Sequence, residues 1–513
     1  MPEPVIEKSG VAQAECFDNI PSLKTEIPHV DVRVRHKKSR EEKRLVRKQD
    51  MLILPLLSGS LFFGYLDRGQ IGNARVMGMQ VDLRLTSQQF YNCVMMFCTA
   101  PLLIPKVLGY MVLELPAGLL LRICPPRFVL GVNAVLFGIF ACAMASAKSY
   151  ASVMVLRVLI GFAEAFVNNA YLYISLWYRP NELSTRTAAI YGMSPVAGAI
   201  SGIISWGLEK HVDKVLGFDS WQWLFIIEGA ITIFWGLIVI ALLPGLPDTV
   251  IQKGNFFFRH EDERKMISAR MVASQNTEGS RARYHQILIA LKDPKMYLGS
   301  AIIGAQGIGI GAFSVFLPTF IKEFGFSALD TQLYSMIPYA FGLLTLITVP
   351  YTSDRLNRKF PILLGCLCTS ITGFVILLST TNKVALVAGA CFVLAGAYPG
   401  LAISVAWSFT FHGGYTKRVT TTWASQIFIQ CESIIATQVY DHPPRFFKGH
   451  GVALGFYILA AICTVIVYFM LSRANADRDR RAEELVQSGQ IDDSADKTFE
   501  DLCDFHPRWR YAL

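Results

Sequence analysis

The chain reads as a series of long apolar runs separated by short polar connections. Six runs come first, at Met51–Ala74, Tyr91–Leu121, Phe128–Ala147, Ala151–Trp177, Thr187–Leu208 and Gln222–Leu243. A polar stretch, Pro244–Lys295, divides them from six more at Met296–Ile321, Gln332–Tyr351, Phe360–Leu378, Val384–Phe411, Val419–Tyr440 and Val452–Leu471. Most are close to the roughly 20 residues that a helix needs to cross a hydrocarbon core of about 30 Å. Within that core each backbone polar group has to be satisfied internally, which favours helices. The pattern therefore predicts an all-α membrane protein of twelve spans in two six-helix bundles. The expected boundaries are an N-terminal tail at 1–50, a first bundle at 51–243, a central loop at 244–295, a second bundle at 296–471 and a C-terminal tail at 472–513.

Composition agrees with this picture and removes the alternatives. Of 513 residues, 52% are hydrophobic and only 17% charged, whereas a soluble chain carries about 25% charged residues. Soluble multidomain enzymes and disordered or fibrous chains are poor fits. The 39 Gly and 23 Pro suit membrane helices, which tolerate both residues better than soluble helices do. The net charge of +9 does not point to nucleic acid, because the basic residues flank apolar segments. They cluster at Arg33–Lys48, at Lys253–Lys295 and at Arg473–Arg481. An even number of spans puts both tails on one side, and these clusters assign that side to the cytoplasm. The short loops are less decisive, since Lys210, Lys214, Arg445 and Lys448 fall on the opposite side. The 11 cysteines lack metal-ligand spacing and read as small buried hydrophobes. No metal or cofactor site is expected, and no nucleophile–base set or phosphate loop outside the spans suggests an enzyme. No signal peptide precedes the first run, which is expected to act as its own insertion signal.

A charge inside a span is costly unless it faces protein or water, so each one marks a candidate site. The first span contains Asp67-Arg68 about 24 Å of helix beyond Met51. Either Asp67 ends the span beside water, or it is a carboxylate on a cavity wall next to an anion-binding guanidinium. The fourth span contains Arg157 and Glu164, two turns apart on one face. These two either neutralise each other structurally or form a site where a carboxyl loads and releases a proton.

Six spans, a loop and six more is a layout similar to that of the major facilitator superfamily. The motifs narrow the likeness. Tyr65-Leu66-Asp67-Arg68, Ile71-Gly72-Asn73-Ala74-Arg75, Asp82-Leu83 and Tyr91-Asn92 resemble the first-span signature of the anion:cation symporters, with the fungal allantoate permease group nearest. Trp177-Tyr178, Glu182, Arg186, Trp221, Trp223-Leu224-Phe225-Ile226-Ile227-Glu228-Gly229, Leu246-Pro247-Asp248-Thr249, Lys292-Asp293-Pro294-Lys295 and Thr416-Lys417-Arg418 extend it over most of Leu61–Arg473. The resemblance implies proton-coupled uptake of a small organic anion such as a ureide, vitamin or carboxylic acid. Its matched positions make Asp67 and Glu164 the proton carriers and Arg68 and Arg157 the carboxylate-binding cations, with Asn73 and Asn92 as substrate contacts. The implied partners are the anion, the proton and the bilayer, for a monomer in the plasma membrane. An uncoupled facilitator and a non-transporting paralogue are the rival readings.

Ser353-Asp354-Arg355-Leu356-Asn357-Arg358-Lys359 looks like a gate motif between the eighth and ninth spans, with Asp354, Arg355 and Arg358 as its charges. The equivalent loop after the second span (Arg122, Pro125, Pro126, Arg127) is degenerate. Gly307-Ile308-Gly309-Ile310-Gly311 lies inside a span and reads as close helix packing. His412 and His442 read as loop residues. The chain departs from its relatives in two places. Cys98–Leu108 makes the second span overlong and reads as a translated intron or similar gene-model error. In the eleventh span, Gln430-Cys431-Glu432-Ser433 replaces glycines, so Glu432 is expected at a cavity rim or span end, or as a contact to a substrate cation; Gln222 stands where an Arg is usual.

Overall fold

The computed structural model describes residues 39–86, 89–90, 93, 115–212, 214–273, 283–325, 328–440, 445–488, 499–507 and 509–513. Asn92, Cys98–Leu108 and His442 lie outside them. The first span is part of one long helix, Arg40–Val76, that starts where the Ser39 side chain accepts the Glu42 N–H at 3.0 Å. Residues 115–123 are the described end of the second span. The third is Pro126–Met144 and the fourth Tyr150–Val167, continued by Ala170–Trp177. Pro180–Tyr191 and Met193–His211 form the fifth, and Ser220–Leu242 the sixth. In the second bundle the helices are Pro294–Glu323, Ala328–Leu356, Phe360–Ser379, Lys383–Phe411, Tyr415–Val439 and Phe447–Ser488. Among the described residues, nine helices are long and apolar enough to cross a membrane by length and composition. The eleventh, interrupted by Thr, Gln and Glu, is not one of them. Exposed Phe234, Ile347 and Phe469 lie on helices whose outward faces suit lipid.

Small residues set the helix crossings. A Cβ on Gly138 would sit 2.6 Å from the Gly229 carbonyl oxygen, and one on Gly229 2.5 Å from that of Gly138. The third and sixth spans thus touch backbone to backbone, as small residues allow in membranes. Gln222 takes a structural role at the start of the sixth span. Its oxygen accepts the Asp219 N–H and its amide donates to the Ala145 carbonyl at 2.7 Å. The glycine run in the seventh span also packs closely, since a Cβ on Gly309 would fall 2.4 Å from the Tyr457 hydroxyl.

The two bundles meet on the face that carries the described chain ends. One apolar cluster there joins Leu121, Tyr171 and Leu183 of the first bundle to Leu401, Phe409, Tyr415 and Val419 of the second. The Tyr415 hydroxyl donates to the Gly118 carbonyl at 2.5 Å across the same seam. Beneath the first bundle lies the central helix Glu261–Ala273. Its buried Arg270 reaches Glu42 before the first span and Glu182 in the first turn of the fifth, at 2.5 and 2.6 Å.

The stretches 499–507 and 509–513, read from sequence as part of the C-terminal tail, are packed into the second bundle. Cys503, Asp504, Trp509 and Tyr511 are buried. Asp504 pairs with the ammonium groups of Lys295 and Lys417. Asn475 donates to the Tyr511 carbonyl and accepts its N–H, Trp407 donates to the Ala512 carbonyl, and the Lys359 N–H donates to that of Leu513.

Candidate functional site

Four charges from the first and fourth spans form the site, and their pairing is crossed. Arg157 Nη1 donates to Asp67 Oδ2 at 2.8 Å, and Arg68 Nη2 donates to Glu164 Oε1 at 2.6 Å. Arg157 and Glu164, two turns apart on one helix, each reach to the first span instead of to each other. Gly64 of the first span lies beside this pair, and a Cβ there would be in ordinary contact with Glu164 Oε1 at 3.4 Å.

The two pairs differ in access. Asp67 and Arg157 are sealed, at 0% and 1% side-chain exposure, whereas Arg68 is 35% exposed beside a Glu164 that is only 4% exposed. The sealed pair lies inside the first bundle, and the other borders open space. Arg68 also lies over the Tyr65 ring, 5.6 Å from its centroid. Tyr65 bonds Tyr171 at 3.1 Å, and Tyr171 stacks on Tyr191 at 4.6 Å. Gly192 follows, near Leu346 of the second bundle, and Tyr398 of the tenth span engages Ser194. This aromatic row carries the Arg68 side of the first bundle toward the opposite bundle. Asn73 is half-buried and donates to Gln70 at 3.0 Å and to Ser201 of the fifth span at 2.7 Å.

The expected gate charges separate. Asp354 crosses to the first bundle, where it accepts the Ser184 N–H (3.2 Å), the Thr185 N–H (2.7 Å) and the Thr185 hydroxyl (2.7 Å). Arg355 and Arg358 are exposed. The cation that accompanies Asp354 is buried Lys359, which donates to it at 3.3 Å and to the Ser184 hydroxyl at 2.6 Å. Lys359 is the better bridge because a buried ammonium beside a carboxylate is compensated.

Two buried carboxyls complete the inventory. Glu432 is buried, and a Cβ on Gly304 would lie 2.9 Å from its Oε1, so it packs against the seventh span at mid-helix. Glu228 on the sixth span is buried with neither oxygen hydrogen-bonded, and it interacts electrostatically with Asp67 and Arg157. Sequence reasoning met Glu228 only as part of a motif. The available signal was a lone carboxyl within an otherwise apolar 23-residue helix.

Asp293, His412 and Asp504, all buried, bring ligand atoms within 4.8 Å of one another. Lys417 already bridges Asp293 and Asp504 at 2.5 Å each, and Lys295 holds both from the other side. Two carboxylates and two ammoniums cancel, so the donor set is that of an ion-pair network and a dication would have to displace lysines. Burial favours the neutral Asp504 acid, but Lys295 and Lys417 outweigh it and hold the carboxyl well below the ordinary range. Burial, with Lys417 beside it, holds the His412 imidazole far below its usual 6.5. A base whose folded value is depressed keeps its full stabilisation above about 6.5 and loses it as the pH falls below that, because the undocked state then binds the proton. The groups facing it are Lys417, Asp504, Lys295 and Arg418. Residues 499–513 are therefore expected to loosen between pH 6.5 and 5.5, by about 1.4 kcal/mol per pH unit at most. Acrylamide quenching of Trp509, isolated by difference against Trp509→Phe, should rise over that window and stay flat in His412→Gln.

Comparison with known proteins gives the same architecture. A model of the Major Facilitator Superfamily matches residues 57–436. An uncharacterized transporter of Schizosaccharomyces pombe is 31% identical over 91% of this chain and 93% of its own. The high-affinity nicotinic acid transporter of Saccharomyces cerevisiae is 26% identical over 92% of this chain and 85% of its own. Among solved structures, the proton:xylose symporter XylE bound to 6-bromo-6-deoxy-D-glucose superposes with a TM-score of 0.61 at 14% identity, covering 80% of this chain and 94% of that one.

Proposed function

The chain belongs to the Major Facilitator Superfamily and is a membrane transporter, and from that premise we propose that it is a proton-coupled symporter of a small organic anion. Within the superfamily we place it with the anion:cation symporters, near the fungal allantoate permeases. The observation that carries the reading is the half-open Arg68–Glu164 pair. A guanidinium at the edge of open space suits a substrate carboxylate, and the carboxylate now holding it is a built-in competitor. A proton that neutralises Glu164 releases Arg68, the substrate anion takes its place, and the loaded site becomes free to rock. Anion and proton thus enter together because each removes the cost of the other. The contacts of Asp354 and Lys359 with Ser184 and Thr185 close the seam on the tail side, which supports a state whose access lies away from the tails. With the tails in the cytoplasm of a plasma-membrane monomer, that state receives substrate from outside.

Likeness to a nicotinic acid transporter supports a monocarboxylate as cargo. The test is uptake of radiolabelled nicotinate, allantoate and short carboxylates by proteoliposomes at external pH 5.0 and 7.5. Uptake of at least one anion should be faster at pH 5.0 and collapse with a protonophore. Equal rates at both pH values, or no anion taken up, would overturn the proposal.

A further inference from the structure

Arg157 uses one of its nitrogens on Asp67, while its Nε and Nη2 are buried without hydrogen-bond partners. Asp67 Oδ1 is also unpartnered, and so are both oxygens of Glu228. Unsatisfied donors and acceptors thus lie together inside one bundle, which is costly and uncommon. They are also complementary. The guanidinium lies 5.8 Å from the centroid of Phe225, which is one turn from Glu228 on the sixth span, so it faces the helix that carries the spare carboxyl. The titratable and charged groups around Glu228 among the described residues are Asp67 on the first span and Arg157 on the fourth. Cys93 on the second lies near Arg157, and Cys142 on the third bonds the Ile226 carbonyl.

We infer that Glu228 is the alternate partner of Arg157, exchanging with Asp67 by transfer of a single proton. One buried cation balances one carboxylate, so of the two carboxyls one carries a proton at any time. In the described state Asp67 is ionised and bonded to Arg157, and Glu228 holds the proton. In the exchange, the proton leaves Glu228 and attaches to Asp67. The Asp67–Arg157 bond breaks and a Glu228–Arg157 bond forms. The three groups sum to zero charge before and after. The fourth span thereby lets go of the first and takes hold of the sixth, with no water reaching a site that is closed to it. This deepens the symport reading by giving Asp67 a proton source, but the exchange itself is independent of which substrate the protein carries.

The test is a double-mutant cycle on thermal unfolding of the full chain in detergent, without substrate. Asp67→Asn and Glu228→Gln should each lower Tm modestly, because the remaining carboxyl takes Arg157. The double variant leaves a buried, uncompensated guanidinium and should fall by roughly twice the sum of the single shifts or more. Additive shifts would overturn the exchange. Should the double variant not fold, adding Arg157→Gln removes the unbalanced charge and should restore a folded protein; a triple variant no better than the double would equally refute it. Failure of the wild type to accumulate any panel anion counts against symport alone, because the melting cycle still decides the exchange.

Discussion

Glu164→Gln is expected to transport anion without concentrating it. A one-proton symporter gains about 1.36 kcal/mol per pH unit, so a two-unit gradient sustains a roughly 100-fold accumulation ratio. Gln cannot carry the proton, and it holds Arg68 only through a neutral hydrogen bond in place of a charge-assisted one at 2.6 Å. Binding of the anion at Arg68 should persist or tighten, and exchange across a preloaded vesicle should continue. Net accumulation should drop to a ratio near one at every pH. Arg68→Gln should instead lose binding and exchange together. The pair of variants separates coupling from recognition, two functions that the proposed mechanism assigns to adjacent members of one ion pair. Wild-type accumulation by Glu164→Gln would move the coupling site away from this residue.

Asp504→Ala is expected to be the most destabilising single change outside the spans. It leaves Lys295 and Lys417, with 7% and 0% of their side chains exposed, sharing only Asp293. Breaking a buried pair from one side costs about 3–5 kcal/mol. At roughly 2–4 °C per kcal/mol, that is a Tm loss of about 6–20 °C. The measurement is thermal unfolding in detergent, with Asp504→Ala combined with Lys417→Met as the control. Removing the surplus cation should recover much of the loss. A double variant as weak as the single would mean that packing around Asp504, and not charge balance, sets the stability.

The fold was legible because lipid leaves few options: twelve apolar runs separated by a polar centre allow little besides two helical bundles. The four charges that meet in the candidate site were legible for a related reason, since an ionised group in a span is rare enough to stand out. Their pairing was not. Arg157 and Glu164 share a helix face, and nothing in their spacing says that each meets a residue of the first span; that depends on how the two helices are rotated. The gate motif named Asp354, Arg355 and Arg358, whereas the cation beside Asp354 is Lys359, which the turn after Leu356 aims inward. Lys417 read only as part of the Thr416-Lys417-Arg418 motif, and its full burial was not visible because its partners lie 124 and 87 residues away. The packed segment at 499–513 did leave a trace in Phe505, Trp509 and Tyr511, aromatics that a solvated tail has little use for.

The Lys295–Asp504 pair joins residues 209 positions apart, with one member translated after every span. At about 5–20 residues per second, synthesis leaves Lys295 without that counter-ion for roughly 10–40 s after it is made. During biogenesis the second bundle therefore sits in the bilayer as an incomplete intermediate. Synthesis that stops after the twelfth span but before Asp504 would release a protein with its membrane helices and a charged defect at the base of the second bundle, a lesion that quality-control proteases can distinguish.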